Sequence, residues 1–250
     1  MVAYPIDCAP SKNWIVFTAP NSDGFPPEYG YNISITLGGV CLAFNDFFGK
    51  NVLHQYPNLT VLNSKETPQC FKDPCVIFLC TSGNFPLQHI YQFAHELCHF
   101  VIHASVCDHY RWLEESMCEL MSWCVLSWVY NHREDFSLST CVRIYDTFPS
   151  YISNSQQDCI DIKDIPLGRF ISQNADYLQR ECYDRRMNRA IANELFPLFV
   201  KYPELCHIVL QLPLLTDEMP LDEAVSLICH NAAVPDDLCS LLQELFSDHT

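Results

Sequence analysis

The chain has 250 residues, of which 49% are hydrophobic and 13% aromatic, so it can bury a large core and is not a mainly disordered polymer. Thirty acidic against 14 basic residues give a formal charge of −16, and long-range repulsion argues against duplex nucleic acid or an anionic membrane as a partner. The most apolar run, Leu120 to Tyr130, is far short of the roughly 20 residues that span a bilayer.

The start, Met1 to Asp7, has neither a basic region nor an apolar one, so no signal peptide is expected. Fifteen cysteines are scattered through apolar runs, among them Cys41, Cys80, Cys118, Cys124, Cys229 and Cys239. In that setting a reduced Cys acts as a small hydrophobe, so a reducing cytoplasm is expected rather than a secreted disulfide framework. Cys70, Cys75 and Cys80 are evenly spaced, but no C-x-x-C pair supports a second metal site there.

In chain order, five prolines in residues 1–30 predict an irregular lead-in around one short strand, Trp14 to Thr18. Tyr31 to Leu37 alternates apolar and polar residues and predicts a half-buried strand, broken by Gly38 and Gly39. A short helix is expected from Val40 to Phe48, ended by Gly49. Leu59 to Leu62 and Val76 to Cys80 read as further strands.

A helix then runs from about Leu87 to Ala104, because Ile90, Tyr91, Ala94, Leu97, Cys98, Val101 and Ile102 repeat with a 3.6-residue period. Pro86 stands near its start, where proline is tolerated. It carries His95-Glu96-Leu-Cys-His99. On a helix, residues four apart share one face, so the two imidazoles can reach one tetrahedral ion. Glu96, one step round, can accept a proton from a water that such an ion activates. The bland alternative is an amphipathic helix with two hydrogen-bonded histidines.

A short link, Ser105 to Tyr110, precedes a second helix from about Trp112 to Tyr130, with Leu113, Met117, Leu120, Met121, Cys124, Val125 and Trp128 as its apolar stripe. Residues 132–166 are polar and loop-like. Beyond them, Arg185 to Val200, Asp222 to His230 and Asp236 to Phe246 read as helices. The expected fold is α+β. A core over residues 1–135 holds a small mixed sheet and the two helices, and residues 136–250 form a mainly helical subdomain.

Three residues compete as third metal ligand. His103 lies about 12 Å along the helix from His95, too far to converge with it. His109 could fold back from the link. Glu115 sits in the first turn of the second helix, which can pack antiparallel to the first after a short turn. Glu119, one turn on, could hydrogen-bond a ligand histidine and fix its tautomer. A third histidine ten residues after the first, the metzincin solution, would fall on Ser105, which excludes that family.

His95-Glu96-Leu-Cys-His99 together with Leu113-Glu-Glu115-Ser-Met-Cys-Glu119 resembles the gluzincin zinc peptidases, most of all compact intracellular members. The resemblance covers roughly residues 30–130. It implies a zincin-like core, Zn²⁺ held by His95, His99 and Glu115, Glu96 as general base, and Glu119 supporting a ligand histidine. The fourth motif position, commonly glycine in that group, is Cys98 here. The implied activity is hydrolysis of a peptide bond in an intracellular protein or peptide. A strand at Val76 to Cys80, if it is the exposed edge, would pair with the substrate. An oxyanion stabiliser is also needed, with His109, Tyr110, Tyr145 and Tyr151 as candidates.

The competing reading is a non-catalytic scaffold with a vestigial or structural metal site, in which residues 136–250 bind a protein partner. Arg180, Arg185, Arg186 and Arg189 form the one basic cluster. It reads either as a solvated helix face or as an anchor for a carboxylate or phosphate.

Overall fold

The computed structural model describes residues 2–19, 25–81, 85–132 and 147–248. It is an α+β protein with one mixed five-stranded sheet. The strands are β1 (Val2–Pro5), β2 (Trp14–Thr18), β3 (Leu59–Asn63), β4 (Gln69–Lys72) and β5 (Cys75–Leu79). Their order across the sheet is β1-β2-β3-β5-β4. β2, β3 and β5 run parallel, and β1 and β4 close the two sides antiparallel. The helices are α1 (Gly30–Phe48), α2 (Pro86–Val101), α3 (Arg111–Asn131), α4 (Phe148–Gln157), α5 (Leu167–Gln173), α6 (Ala175–Arg180), α7 (Arg185–Lys201), α8 (Leu221–Asn231) and α9 (Asp236–Phe246). Pro203–Leu214 forms a 3-10 helix.

The chain divides into two compact units, residues 1–101 with 121–152 and residues 102–120 with 153–250. The first holds the sheet, α1, α2, the C-terminal part of α3 and the first half of α4. The second holds the start of α3, the second half of α4 and α5 to α9. No described helix is long and apolar enough to cross a membrane, and each described cysteine is a free thiol.

The strand expected at Tyr31 to Leu37 is instead the first half of α1. The same residues carry a longer period that the alternation hides. Ile33, Leu37, Val40, Cys41, Phe44, Phe47 and Phe48 are all buried on one side, whereas Tyr31 is exposed. Burial of several such side chains, each contributing about 1.5–3 kcal/mol, outweighs the local β preference. Gly38 does not break the helix. A Cβ there would lie 2.4 Å from the Asp7 carbonyl oxygen, so the glycine admits the turn after β1. Gly49 does end the helix, at a positive φ of 84°.

Strand Val76 to Cys80 is found as β5, but β3 and β4 flank it, so it is not the edge of the sheet. The edge on that side is β4, a strand that the sequence pattern did not reveal. Its four residues offer only weak alternation, and pairing with β5 supplies what the local pattern lacks. Among the later helices, α7 and α8 match their expected positions to within one residue at each end, and α9 matches at both.

Candidate metal centre

α2 is buried on almost every side. From Pro86 to Val101, only Gln88, Gln92, His95 and His99 are half-buried, and the rest are buried. Their spacing of four, three and four puts them on one stripe, so the two motif histidines lie on the single face of α2 that reaches outward. The helix ends at Val101, three residues before the expected limit at Ala104. His103 is exposed and adopts a left-handed conformation with φ 63°.

Side chains lock this helix to the end of β5. The Gln92 amide makes two hydrogen bonds to the Cys80 backbone, accepting from its N–H at 2.8 Å and donating to its carbonyl at 2.9 Å. Asn63 grips the next residue in the same way, through the Thr81 N–H at 3.2 Å and carbonyl at 3.1 Å. Thr81 Oγ1 lies 2.8 Å from Nε2 of His89, which is fully buried and packs edge-on to Phe25. Burial pulls the His89 pKa down to about 4, so this histidine is neutral and structural. At the other end of α2, Tyr56 donates to the Phe100 carbonyl at 3.0 Å.

On the outward stripe, the Nε2 atoms of His95 and His99 are 3.3 Å apart. A tetrahedral ion with metal–nitrogen bonds of 2.0–2.1 Å requires its two nitrogens about 3.3–3.4 Å apart. The two rings therefore already have the separation of a ligand pair. Glu115 joins them: one ligand atom each from His95, His99 and Glu115 lie within 4.8 Å of one another. Among the described residues this is the one such group of three or more His, Cys, Asp or Glu side chains that could hold a metal ion. Cys70, Cys75 and Cys80 form no such group. Glu96 is buried at 6% exposure beside His95 in the sequence of α2.

The competing third ligands lie elsewhere. His103 is beyond the end of α2. The backbone N–H of His109 donates to Asp217 at 3.0 Å, and its Nε2 lies 3.5 Å from Gln179 Nε2. Tyr110, one of the four oxyanion candidates, donates its hydroxyl to the Met219 carbonyl at 2.7 Å and is committed there. Tyr145 falls outside the described residues. Tyr151 packs edge-on against Tyr91, with ring centroids 6.1 Å apart, and Tyr91 precedes His95 by one helical turn.

Glu119 is almost completely buried, and its Oε1 accepts from Arg189 Nε at 2.6 Å. Arg189 also reaches Asp158 through Nη1. Alongside, Ser116 Oγ donates to the Trp112 carbonyl at 2.8 Å and lies 3.3 Å from Asn188 Oδ1, while Asn188 Nδ2 donates to the Cys182 carbonyl. Consecutive residues of α7 thus hold the turn of α3 that follows Glu115. Of the basic cluster, Arg180, Arg185 and Arg186 are exposed and Arg189 is inside. The sequence offered one signal for this: Arg189 is followed directly by the apolar run Ala190-Ile191-Ala192, and an arginine drawn inside with such a run needs an internal carboxylate.

No known protein family matches the chain, and no curated protein or solved structure shows significant similarity to it.

Proposed function

We propose that the chain is a zinc-dependent peptide hydrolase, with His95, His99 and Glu115 as the zinc ligands. The observation that carries this reading is the 3.3 Å Nε2–Nε2 separation on the outward stripe of α2, with a carboxylate oxygen of Glu115 within 4.8 Å. Two imidazoles and one carboxylate suit Zn²⁺ better than the all-oxygen preference of Mg²⁺ or Ca²⁺. When bound, the ion supplies a Lewis acid and a water acidified towards pH 7.

Glu96 is the general base. It takes a proton from the attacking water and delivers it to the leaving amine. Glu119, paired with Arg189, accepts an N–H from a ligand histidine and fixes its tautomer. Tyr151, brought next to Tyr91, stabilises the developing oxyanion. The sheet edge that receives an extended substrate is β4, where Phe71 is 45% exposed. This zincin-like assignment rests on the gluzincin resemblance of the two motifs. The many buried thiols, Cys41, Cys98, Cys118, Cys206 and Cys229 among them, support a reducing compartment such as the cytoplasm.

The deciding experiment compares wild type with Glu96→Gln on native cell extract, scoring new peptide ends, with elemental analysis of both proteins. Both are expected to hold about one zinc per chain. Hydrolysis is expected to fall by about 10²-fold or more in the variant, on the scale of a lost general base. Equal rates from the two proteins would overturn the mechanism, and absent zinc in both would overturn the metal assignment.

A further inference from the structure

A second concavity lies wholly within the unit formed by residues 102–120 and 153–250. Its volume is about 500 Å³, in the range of small-ligand sites, and its walls come from the start of α3, from α5 and α6, from the start of α8 and from the end of α9. Tyr110, Trp112 and Phe246 give it aromatic surface, and Asp222 and Asp248 give it charge. No lysine or arginine is among the described residues that line it. We propose that this concavity binds an alkyl-ammonium or alkyl-guanidinium group, its cationic head at Asp222 and Asp248 and its apolar stem along Trp112 and Phe246.

The electrostatics favour a cation from both sides. Asp222 stands in the first turn of α8, and among the described residues its carboxylate makes no hydrogen bond or ion pair. Helix polarity alone accounts for an acidic residue at that end. It does not account for Asp248, which follows the C-terminus of α9, where the helix pole is itself negative. Asp248 is held there by Ser172 Oγ at 2.8 Å and by Arg169 at 3.6 Å. Arg169 is thereby engaged, and an anionic ligand would face two carboxylates and a negative helix end. Next to the lining residues, Asp217 accepts from the His109 N–H, and Glu223 follows Asp222 in the sequence. Burial, reinforced by the nearby Cys107, Asp222 and Glu223, pushes the Tyr110 hydroxyl up to about 12, in keeping with a negative local field. The chain's net charge of −16 steers cations to it from a distance.

The same head group is offered by a free small amine or by an arginine or lysine side chain of a polypeptide. Calorimetric titration of the full-length protein with agmatine, and separately with a blocked pentapeptide containing one central arginine, distinguishes the two. Saturable binding at about millimolar or tighter is expected for at least one probe. A peptide that binds at least about tenfold tighter than agmatine assigns a polypeptide side chain, and the reverse or equality assigns a free amine. Asp222→Asn, at an exposed position where folding is not at stake, should weaken binding about tenfold, as expected for one lost charge-assisted contact. Asp222→Asn combined with Asp248→Asn should abolish it. His95→Ala should bind the probes as wild type does, so the result stands whether or not the metal reading holds. The proposal is overturned by three results: no saturation with either probe up to about 10 mM, unchanged affinity in Asp222→Asn, or equal binding of the uncharged n-butylurea.

Discussion

α2 and the N-terminal half of α3 carry the three residues of the candidate metal centre, and they are held by opposite means. The N-terminal half of α2 is fixed by neutral hydrogen bonds over short sequence distances. Gln92 grips Cys80, 12 residues away, and His89 meets Thr81, eight away. The start of α3 is fixed by a buried ion pair to a residue 70 positions later, Arg189 to Glu119. Short-range amide contacts form as soon as β5 and α2 are adjacent, and each contributes modestly. A buried ion pair contributes little net stability against an apolar substitute, but removing one partner strands the other as an uncompensated charge. The half of the centre that looks self-sufficient therefore tolerates change, and the half that depends on a distant arginine does not.

The largest expected effect follows from that asymmetry. Arg189→Met should destabilise the protein by about 3–5 kcal/mol in denaturant unfolding, because Glu119 stays buried without its counter-charge. Adding Glu119→Gln to it should recover part of the loss, whereas exposed Arg186→Ala should stay within about 0.5 kcal/mol. A loss below about 1 kcal/mol for Arg189→Met would break the comparison.

On the α2 side, His89 makes stability depend on pH. Its folded pKa, about 4, lies below the ordinary value of 6.5, so the unfolded chain binds the extra proton in that interval. The stability it confers is complete above about pH 6.5 and is lost as pH falls towards 4, by about 3 kcal/mol in total. Unfolding curves of wild type and His89→Leu between pH 7 and 4 should differ in slope in that window. Parallel curves would show that the ring is not buried neutral.

The ligand choice comes next in size. Glu115→Ala should lower zinc affinity by about a hundredfold or more, and His109→Ala by no more than about threefold, read by competition with a chromophoric chelator. The opposite order would move the third ligand to the link before α3. The smallest effect is that of Gln92→Ala, which removes two partly buried hydrogen bonds to Cys80. A loss of about 1–2 kcal/mol is expected, with the metal content unchanged. A larger loss, near that of Arg189→Met, would erase the contrast between the two helices.

How much of this was legible beforehand depended on the range of the interactions. α2, α3 and α9, together with β2, β3 and β5, were readable because each carries a full period of apolar residues bounded by turn residues. α1 misled because Tyr31 to Leu37 satisfies both a period of two and one of 3.6, and only the packing of Phe44, Phe47 and Phe48 downstream selects the helix. β4 had no local signature and exists through its partner.

What the sequence by itself determined is that His95 and His99 share one face of a helix, since residues four apart on a helix are neighbours, about 5–6 Å apart at Cβ, whatever surrounds them. It also determined which residue types could complete a metal centre. What only the tertiary structure decided is which of them lies close to the pair: a Glu115 carboxylate oxygen comes within 4.8 Å, while the His109 backbone N–H donates to Asp217 and its ring lies beside Gln179. The interior placement of Arg189 was decided at the same level. Both outcomes depend on chain closure over tens of residues, where the free energy comes from burial and charge pairing between segments rather than from any local preference.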